Sequence, residues 1–396
     1  MLRPCLADFV FAKMPEIHFG IGALKQLPPL IRKTGRRVLL VTGSSSFAGS
    51  GRYEALIRSL TDAGIEFLQV SVSGEPSPAF VDQTVACYRD EKLDWVVAVG
   101  GGSAVDAGKA ISAMLLQEDS VAAYLECMDI KKHDGRKVPF IAIPTSSGTG
   151  AEATKNAVLS EIGPHGFKSS LRHDHFVPDI ALIDPELMLS CPPEITAACG
   201  LDALTQLLES YVSSKASPMT DALALSGLAH VAEGFLPAFE RGQIDVEARS
   251  HMAYAALLSG ITLANAGLGV VHGFAAPIGG YFNMPHGTVC GTLIGESTRV
   301  IIQGMLMDVE TNRGALEKYA KAGAVLSGQA SGGVQAGCER LVLTLRKWIE
   351  LTRMPRLGQY GISAADFPRI VDKTTNKNST MTLDSGQMTA ILQARL

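Results

Sequence analysis

Asp202 and Gln206 stand four residues apart in a stretch of helical period, CGLDALTQLLESY, so both side chains leave the same face of one helix. Further along, VVHGFAAPIGGYFNMPHG supplies His272 and His286. Two imidazoles and a carboxylate with open coordination positions can hold Fe(II), and a similar set can hold catalytic Zn(II). Spacing alone leaves a second reading open, in which Asp202 is a solvated helix residue and the histidines are satisfied structural ones. Glu209 can share the face of Asp202, either as support behind a ligand or as a helix surface charge.

A different chemistry is written in two turns. The apolar run DWVVAVG leads into Gly100-Gly101-Gly102-Ser103 and then into a helix that begins AVDAGKAISAMLL. Glycines let backbone approach a pyrophosphate, and the amide groups of a helix start favour its charge. The spacing is not the Rossmann one, and a tight strand-to-helix connection is the competing reading. Asp106 falls in the first helical turn and belongs either to this phosphate site or to a helix cap. The second turn, Pro144-Thr145-Ser146-Ser147-Gly148-Thr149-Gly150, again follows an apolar strand and offers hydroxyls to a ribose or phosphate. Two such turns at one sheet edge point to a dinucleotide.

The elements that must position these residues are legible as patterns. Runs at 36–43, 66–72, 94–102, 139–145 and 179–184 are rich in Val, Ile and Leu, with helical-period segments between most of them. That alternation predicts a doubly wound α/β half with a parallel sheet covered on both faces. After Cys191-Pro192-Pro193 the chain is Ala- and Leu-rich with helical spacing, which predicts an all-helical second half. The expected division is 1–190 and 191–396, with the chemistry in the cleft between.

At 396 residues the chain can bury a large core, and 46% hydrophobic against 19% charged residues excludes long disorder. A net charge of −4 provides no basic face for nucleic acid and no polybasic membrane anchor. Seven cysteines without a C-x-x-C pair argue against a disulfide framework or a cysteine zinc site, and predict buried thiols. No apolar run approaches the roughly 20 residues of a membrane span, and the start has no signal-peptide core, so the expected compartment is the cytoplasm.

GGGSAVDAGK, PTSSGTGAEAT, CGLDALTQLLESY and HGFAAPIGGYFNMPHG, in this order across nearly the whole chain, closely resemble successive motifs of the iron-containing (group III) alcohol dehydrogenases. The resemblance implies a dinucleotide-binding α/β domain followed by a helical metal- and substrate-binding domain, an α/β plus all-α fold of the dehydroquinate synthase-like kind. It implies reversible hydride transfer between NAD or NADP and an alcohol or aldehyde, with a divalent metal in the cleft and a dimeric assembly. Carried over by position, Gly100, Gly101, Gly102 and Ser103 become the pyrophosphate turn, and Thr145, Ser146 and Thr149 the contacts around phosphate, ribose and nicotinamide. Lys168 falls where the family has a cofactor-contacting lysine. Asp202, His272 and His286 take three metal-ligand positions and Gln206 the fourth, where the family expects histidine.

Two further departures carry expectations. The family's usual His-x-x-x-His-Pro reads here His272-Gly273-Phe274-Ala275-Ala276-Pro277, so the pocket histidine that could relay a proton is Ala276. A relined pocket fits this better than decayed chemistry, because Asp202, His272, His286 and the cofactor turns are all retained. Members that prefer NAD commonly place an aspartate where this chain has Gly43 and Ser44, so NADP is the expected cofactor. The rival readings are a lyase of the dehydroquinate synthase kind, which needs a dense set of cationic side chains absent from these motifs, and a metal-free nucleotide-binding homologue without dehydrogenase activity.

Overall fold

The computed structural model describes residues 8–43, 51–163, 166–330, 332–376 and 378–396. Eight strands, β1 (Glu16–Phe19), β2 (Arg37–Gly43), β3 (Glu66–Val72), β4 (Trp95–Gly100), β5 (Phe140–Pro144), β6 (Asn156–Glu161), β7 (Phe167–Arg172) and β8 (Ile180–Ile183), all lie in the first half. Six form one parallel sheet in the order β1-β8-β5-β4-β2-β3. The most continuously apolar runs take the central places. WVVAVG and FIAIP are buried at every position, whereas the edge strand β1 is largely exposed. Each of the five apolar runs named above forms one of these strands.

Helices Gly51–Asp62, Pro78–Tyr88 and Gly102–Met114 make the crossovers. The chain leaves β2 toward β3 on one side and leaves β4 toward β5 on the other, so the strand order reverses between β2 and β4. Ligands of open α/β sheets lie in the crevice that such a reversal opens at the carboxyl ends of the strands. Gly43, Gly100 and Thr145 end or follow three adjacent strands at that edge.

Three strands escaped the pattern reading. β1 is short and exposed, and β6 and β7 form an antiparallel hairpin, NAVLSE with FKSSLR, whose mixed polar alternation lacks a continuous apolar run. The hairpin lies against the face of helix Gly102–Met114 and carries Lys168. Asp106 is half-buried and bonds the backbone of Val158 in that hairpin. Helix Gly102–Met114 is entered at Gly101 without a side-chain cap, so Asp106 is not its capping residue.

The described residues after Asp184 contain helices and no strand. Helices Pro193–Tyr211, Pro218–Arg241, Val246–Ala266, Val270–Tyr281 and His286–Met305 pack around a core that includes Leu204, Leu208, Leu228, Phe235 and Leu293. That core continues into the sheet through Ala181 and Ile183. Pro218–Arg241 is long and apolar enough by composition to cross a membrane, but its Ala224, Leu228, Val231 and Phe235 face the bundle core. The two halves meet backbone to backbone at Gly150 and Gly260. A Cβ on Gly260 would lie 2.2 Å from the Gly150 carbonyl oxygen, and Gly150 itself has φ +61.

Among the described residues every cysteine is free. Cys191, Cys290 and Cys338 are buried as expected, but Cys87 and Cys127 are exposed because they sit on a crossover helix and a loop outside the core.

Candidate active site in the cleft

The glycine turn and the threonine loop form one cradle. Thr145 donates its amide to the Gly100 carbonyl at 2.9 Å, the Gly101 backbone faces the Ser146 hydroxyl, and Gly102 faces Thr149. A Cβ on Gly102 would lie 2.8 Å from both Cγ2 and Oγ1 of Thr149, so only glycine lets the turn close this tightly. No side chain caps helix Gly102–Met114, and with the Ala104 and Val105 amides bonded to the Gly101 carbonyl, the amides of Gly102 and Ser103 are left for an anion. Gly43 sits beside Gly100 at the end of β2, and a Cβ there would point into open space. Ser44 lies outside the described residues.

The loop is held from behind by Lys109. Its ammonium, 1% exposed, donates to the carbonyls of Ala151, Thr154 and Asn156 at 2.7, 2.9 and 2.8 Å and to the Thr154 hydroxyl at 3.0 Å. Burial, partly offset by the carboxylates of Asp106 and Glu152, brings its pKa down to about 8. A lysine inside an apolar helix gave no sign in the sequence that it would anchor this loop.

Helix Pro193–Tyr211 brings the second chemistry alongside. Cys199 packs against Gly148 of the threonine loop, and Asp202 follows it by about one turn. Helix Val270–Tyr281 contributes His272 and the first turn of helix His286–Met305 contributes His286. The carboxylate oxygen Oδ1 of Asp202 is 3.3 Å from His272 Nε2 and 3.7 Å from His286 Nε2. Asp202 is 1% exposed, and this oxygen is buried with no hydrogen-bond partner. A buried carboxylate oxygen left unbonded among converging nitrogens is costly unless a cation completes it, so the donor set fits a divalent ion.

Support lies behind these donors. Glu209 accepts at 2.7 Å from His272 Nδ1 and at 2.7 Å from the Val271 amide, so it fixes the ring with Nε2 turned toward Asp202. Burial opposes a charge on His272, but the acidic groups around it, Cys290, Asp202 and Glu209, outweigh burial and hold its pKa well above the ordinary value. For His286, burial wins: despite Asp202, the positive charges of Lys168 and His272 help to push it down to about 4. Lys168 on β7 is ion-paired with Glu75.

Gln206 is also buried, one turn after Asp202, but its carboxamide oxygen accepts the Ser259 hydroxyl at 2.7 Å. The position of the missing pocket histidine is open. Helix Val270–Tyr281 continues through Pro277, and Ala276 is exposed in a segment whose neighbours Ala275 and Pro277 are buried. One residue in the cluster was overlooked in the sequence. Cys290, fully buried, places its sulfur 3.6 Å from His272 Nε2 and 3.8 Å from His286 Nε2. It stands one helical turn after His286, and that i, i+4 spacing was the available signal.

Residues 15–185 match the family model described as iron-containing alcohol dehydrogenase, and residues 196–396 match that of the Fe-containing alcohol dehydrogenase family, C-terminal. The NADPH-dependent butanol dehydrogenase of Clostridium saccharobutylicum is 31% identical over 90% of this chain and 88% of its own length. Long-chain-alcohol dehydrogenase 1 of Geobacillus thermodenitrificans is 37% identical over 69% of this chain and 68% of its own length. The crystal structure of a 1,3-propanediol oxidoreductase superposes with a TM-score of 0.88 at 28% identity, covering 98% of this chain and all of that one. With both halves matched and the cleft built from the same successive motifs, the chain belongs to the iron-containing alcohol dehydrogenase family.

Proposed function

We propose that this protein is an NAD(P)-linked alcohol dehydrogenase that interconverts an alcohol and its aldehyde or ketone, with the reacting carbon held between the cradle at the sheet edge and the Asp202, His272 and His286 cluster. The observation that carries this reading is the buried, unpartnered Asp202 oxygen facing two imidazoles beside a phosphate-competent sheet edge. When bound, a divalent ion, Fe(II) or Zn(II), supplies Lewis-acid polarisation of the substrate oxygen. The domain division at 190 and 191 is supported by the change from the last parallel strand, ending at Ile183, to helix Pro193–Tyr211.

The chain's own residues divide the remaining work. Gly100, Gly101, Gly102 and Ser103 present helix-start amides to the pyrophosphate, and Thr145, Ser146 and Thr149 fix the ribose and nicotinamide side. Asp106 and Lys168 shape the hairpin wall of the same crevice. Glu209 accepts the His272 Nδ1 proton, which turns the lone pair of Nε2 toward Asp202 to hold an ion. Ala276 has no titratable group, so the alcohol proton exchanges with water or the cofactor ribose. Gln206, at the fourth family ligand position, has its oxygen already engaged by the Ser259 hydroxyl. Aldehyde-dependent oxidation of NADPH or NADH, abolished by chelator and restored by one divalent ion, is the expected result. Undiminished turnover in metal-free protein contradicts the metal assignment, and nucleotide binding without turnover on any aldehyde returns the protein to the non-catalytic reading.

NADP is favoured over NAD, because Gly43 places no carboxylate where a 2′-phosphate would lie. The open space at Gly43 means that Gly43→Asp can be accommodated. Its expected effect is a shift of the kcat/KM ratio toward NAD by tenfold or more, and a parent that already prefers NAD tenfold refutes the assignment.

Ala276 makes a pocket for a substrate larger than two- or three-carbon alcohols. Support comes from its exposure within a buried segment and from a relative whose name specifies long-chain alcohols. Ala276→His is expected to lower kcat/KM for long aldehydes more than for propanal, since the new imidazole collides only with the longer chain. Equal losses on both would assign the position to proton transfer instead. Exposed Ile17, Phe19 and Ile21 at the edge strand β1 support the dimer that the family resemblance implies. The near-balanced charge and the packing of Leu228, Val231 and Phe235 of helix Pro218–Arg241 into the bundle core support a cytoplasmic enzyme.

A further inference from the structure

We propose that Cys290 is the fourth protein ligand of the divalent ion, in the place the family gives to a histidine at position 206. This inference rests on the metal-dependent reading above and adds to it a donor of different chemistry. Metal–sulfur and metal–nitrogen bonds of ~2.3 and ~2.1 Å in a tetrahedral site put sulfur and nitrogen about 3.6 Å apart. Cys290 Sγ lies 3.6 Å from His272 Nε2 and 3.8 Å from His286 Nε2. The same geometry puts nitrogen and carboxylate oxygen about 3.4 Å apart. Asp202 Oδ1 lies 3.3 and 3.7 Å from the two nitrogens. All four donor atoms fall within 4.8 Å of one another. Four edges of this group therefore match those of a tetrahedral site in which the sulfur takes one corner.

Two independent features point the same way. The Asp202 oxygen, one of the four donors, is buried and unpartnered, so the cluster is unfinished without a cation. Gln206 is committed elsewhere, through the Ser259 hydroxyl on the neighbouring helix Val246–Ala266. Helix geometry explains why Cys290 can serve: it is four residues after His286, and both side chains project from one face of helix His286–Met305. As the ion binds, the thiol gives its proton to solvent and the thiolate joins Asp202. Two anionic donors then balance a divalent charge, where the family's aspartate and three histidines leave one positive charge over. A softer, neutral site favours Zn(II) over Fe(II) relative to the all-nitrogen set.

The test is cobalt(II) reconstitution of the full chain, read by optical spectroscopy and metal content. One cobalt per chain with an intense near-ultraviolet thiolate-to-cobalt charge-transfer band is the expected spectrum, lost in Cys290→Ala and Cys290→Ser and kept in Gln206→Ala. The only other described cluster of metal-binding residues, His230, Glu233 and His251, has no sulfur and cannot produce that band. Stoichiometric cobalt with visible d–d bands but no charge-transfer band overturns the assignment of Cys290 and leaves the metal-dependent reading standing. Failure to bind cobalt or zinc at all overturns both. Zinc X-ray absorption on the unmutated protein gives the same answer without relying on a variant's folding: one sulfur neighbour at ~2.3 Å supports the ligand, and a shell of nitrogen and oxygen alone rejects it.

Discussion

Asp202→Asn is expected to reduce bound metal to a small fraction of one per chain and to lower kcat/KM about a thousandfold, equivalent to about 4 kcal/mol of transition-state stabilisation. The substitution keeps the volume of a side chain that is 1% exposed, so the helix Pro193–Tyr211 and its packing should survive. What it removes is the carboxylate charge that faces His272 Nε2 at 3.3 Å and His286 Nε2 at 3.7 Å. An amide in its place still offers one oxygen, but it no longer offsets the charge of the cation. Metal analysis, steady-state kinetics and a thermal melt on the same preparation separate the two effects. A melt matching that of the metal-free parent, with lost metal, is the expected pattern, and an enzyme that keeps full activity after Asp202→Asn contradicts the cluster's role.

Lys109→Met is expected to be the most destabilising single change in the α/β half, by about 3–5 kcal/mol. Three backbone carbonyls and the Thr154 hydroxyl lose their donor at once, and each buried acceptor left unpaired costs about 1–3 kcal/mol, shared among those that can relax. The methionine fills most of the volume, so the loss reads on hydrogen bonding and not on a cavity. Those carbonyls belong to Ala151, Thr154 and Asn156, directly after the threonine loop, so KM for the dinucleotide should rise as well.

The effect also carries a sign in pH. Burial brings the pKa of Lys109 in the folded chain down to about 8, below the ordinary 10.5, so between those values the unfolded chain binds more protons and this group's contribution to stability grows as pH rises. The methionine variant has no such group, and its deficit should widen from pH 8 toward pH 10. Denaturant melts across that range test it. A deficit under 1 kcal/mol, or one that narrows as pH rises, would mean that the lysine is not the loop's anchor.

Much of this protein was determined by its sequence alone. Four of the five apolar runs became the inner strands β2, β4, β5 and β8, where continuous apolar sequence suits burial on both faces, while the more polar run 66–72 took the edge as β3, and the helical period of 191–396 predicted a bundle. Gly102 and the hydroxyls of Thr145, Ser146 and Thr149 announced a phosphate-competent edge, since side-chain size and hydrogen-bonding capacity are local properties. Asp202, His272 and His286 could be named because their neighbours form ordered motifs. Tertiary structure decided the rest. Whether Gln206 points its oxygen at a metal or at a hydroxyl depends on Ser259, which comes from another helix. Cys290 shares a helix face with His286 by sequence, but it meets the His272 imidazole only once helix Val270–Tyr281 packs on helix His286–Met305. The hairpin of β6 and β7 takes its place from contacts with helices Gly102–Met114 and Val270–Tyr281, not from an apolar pattern of its own. Periodicity records which face of an element is buried. It does not record which distant residue that face will meet, and in this cleft the chemistry is set by those meetings.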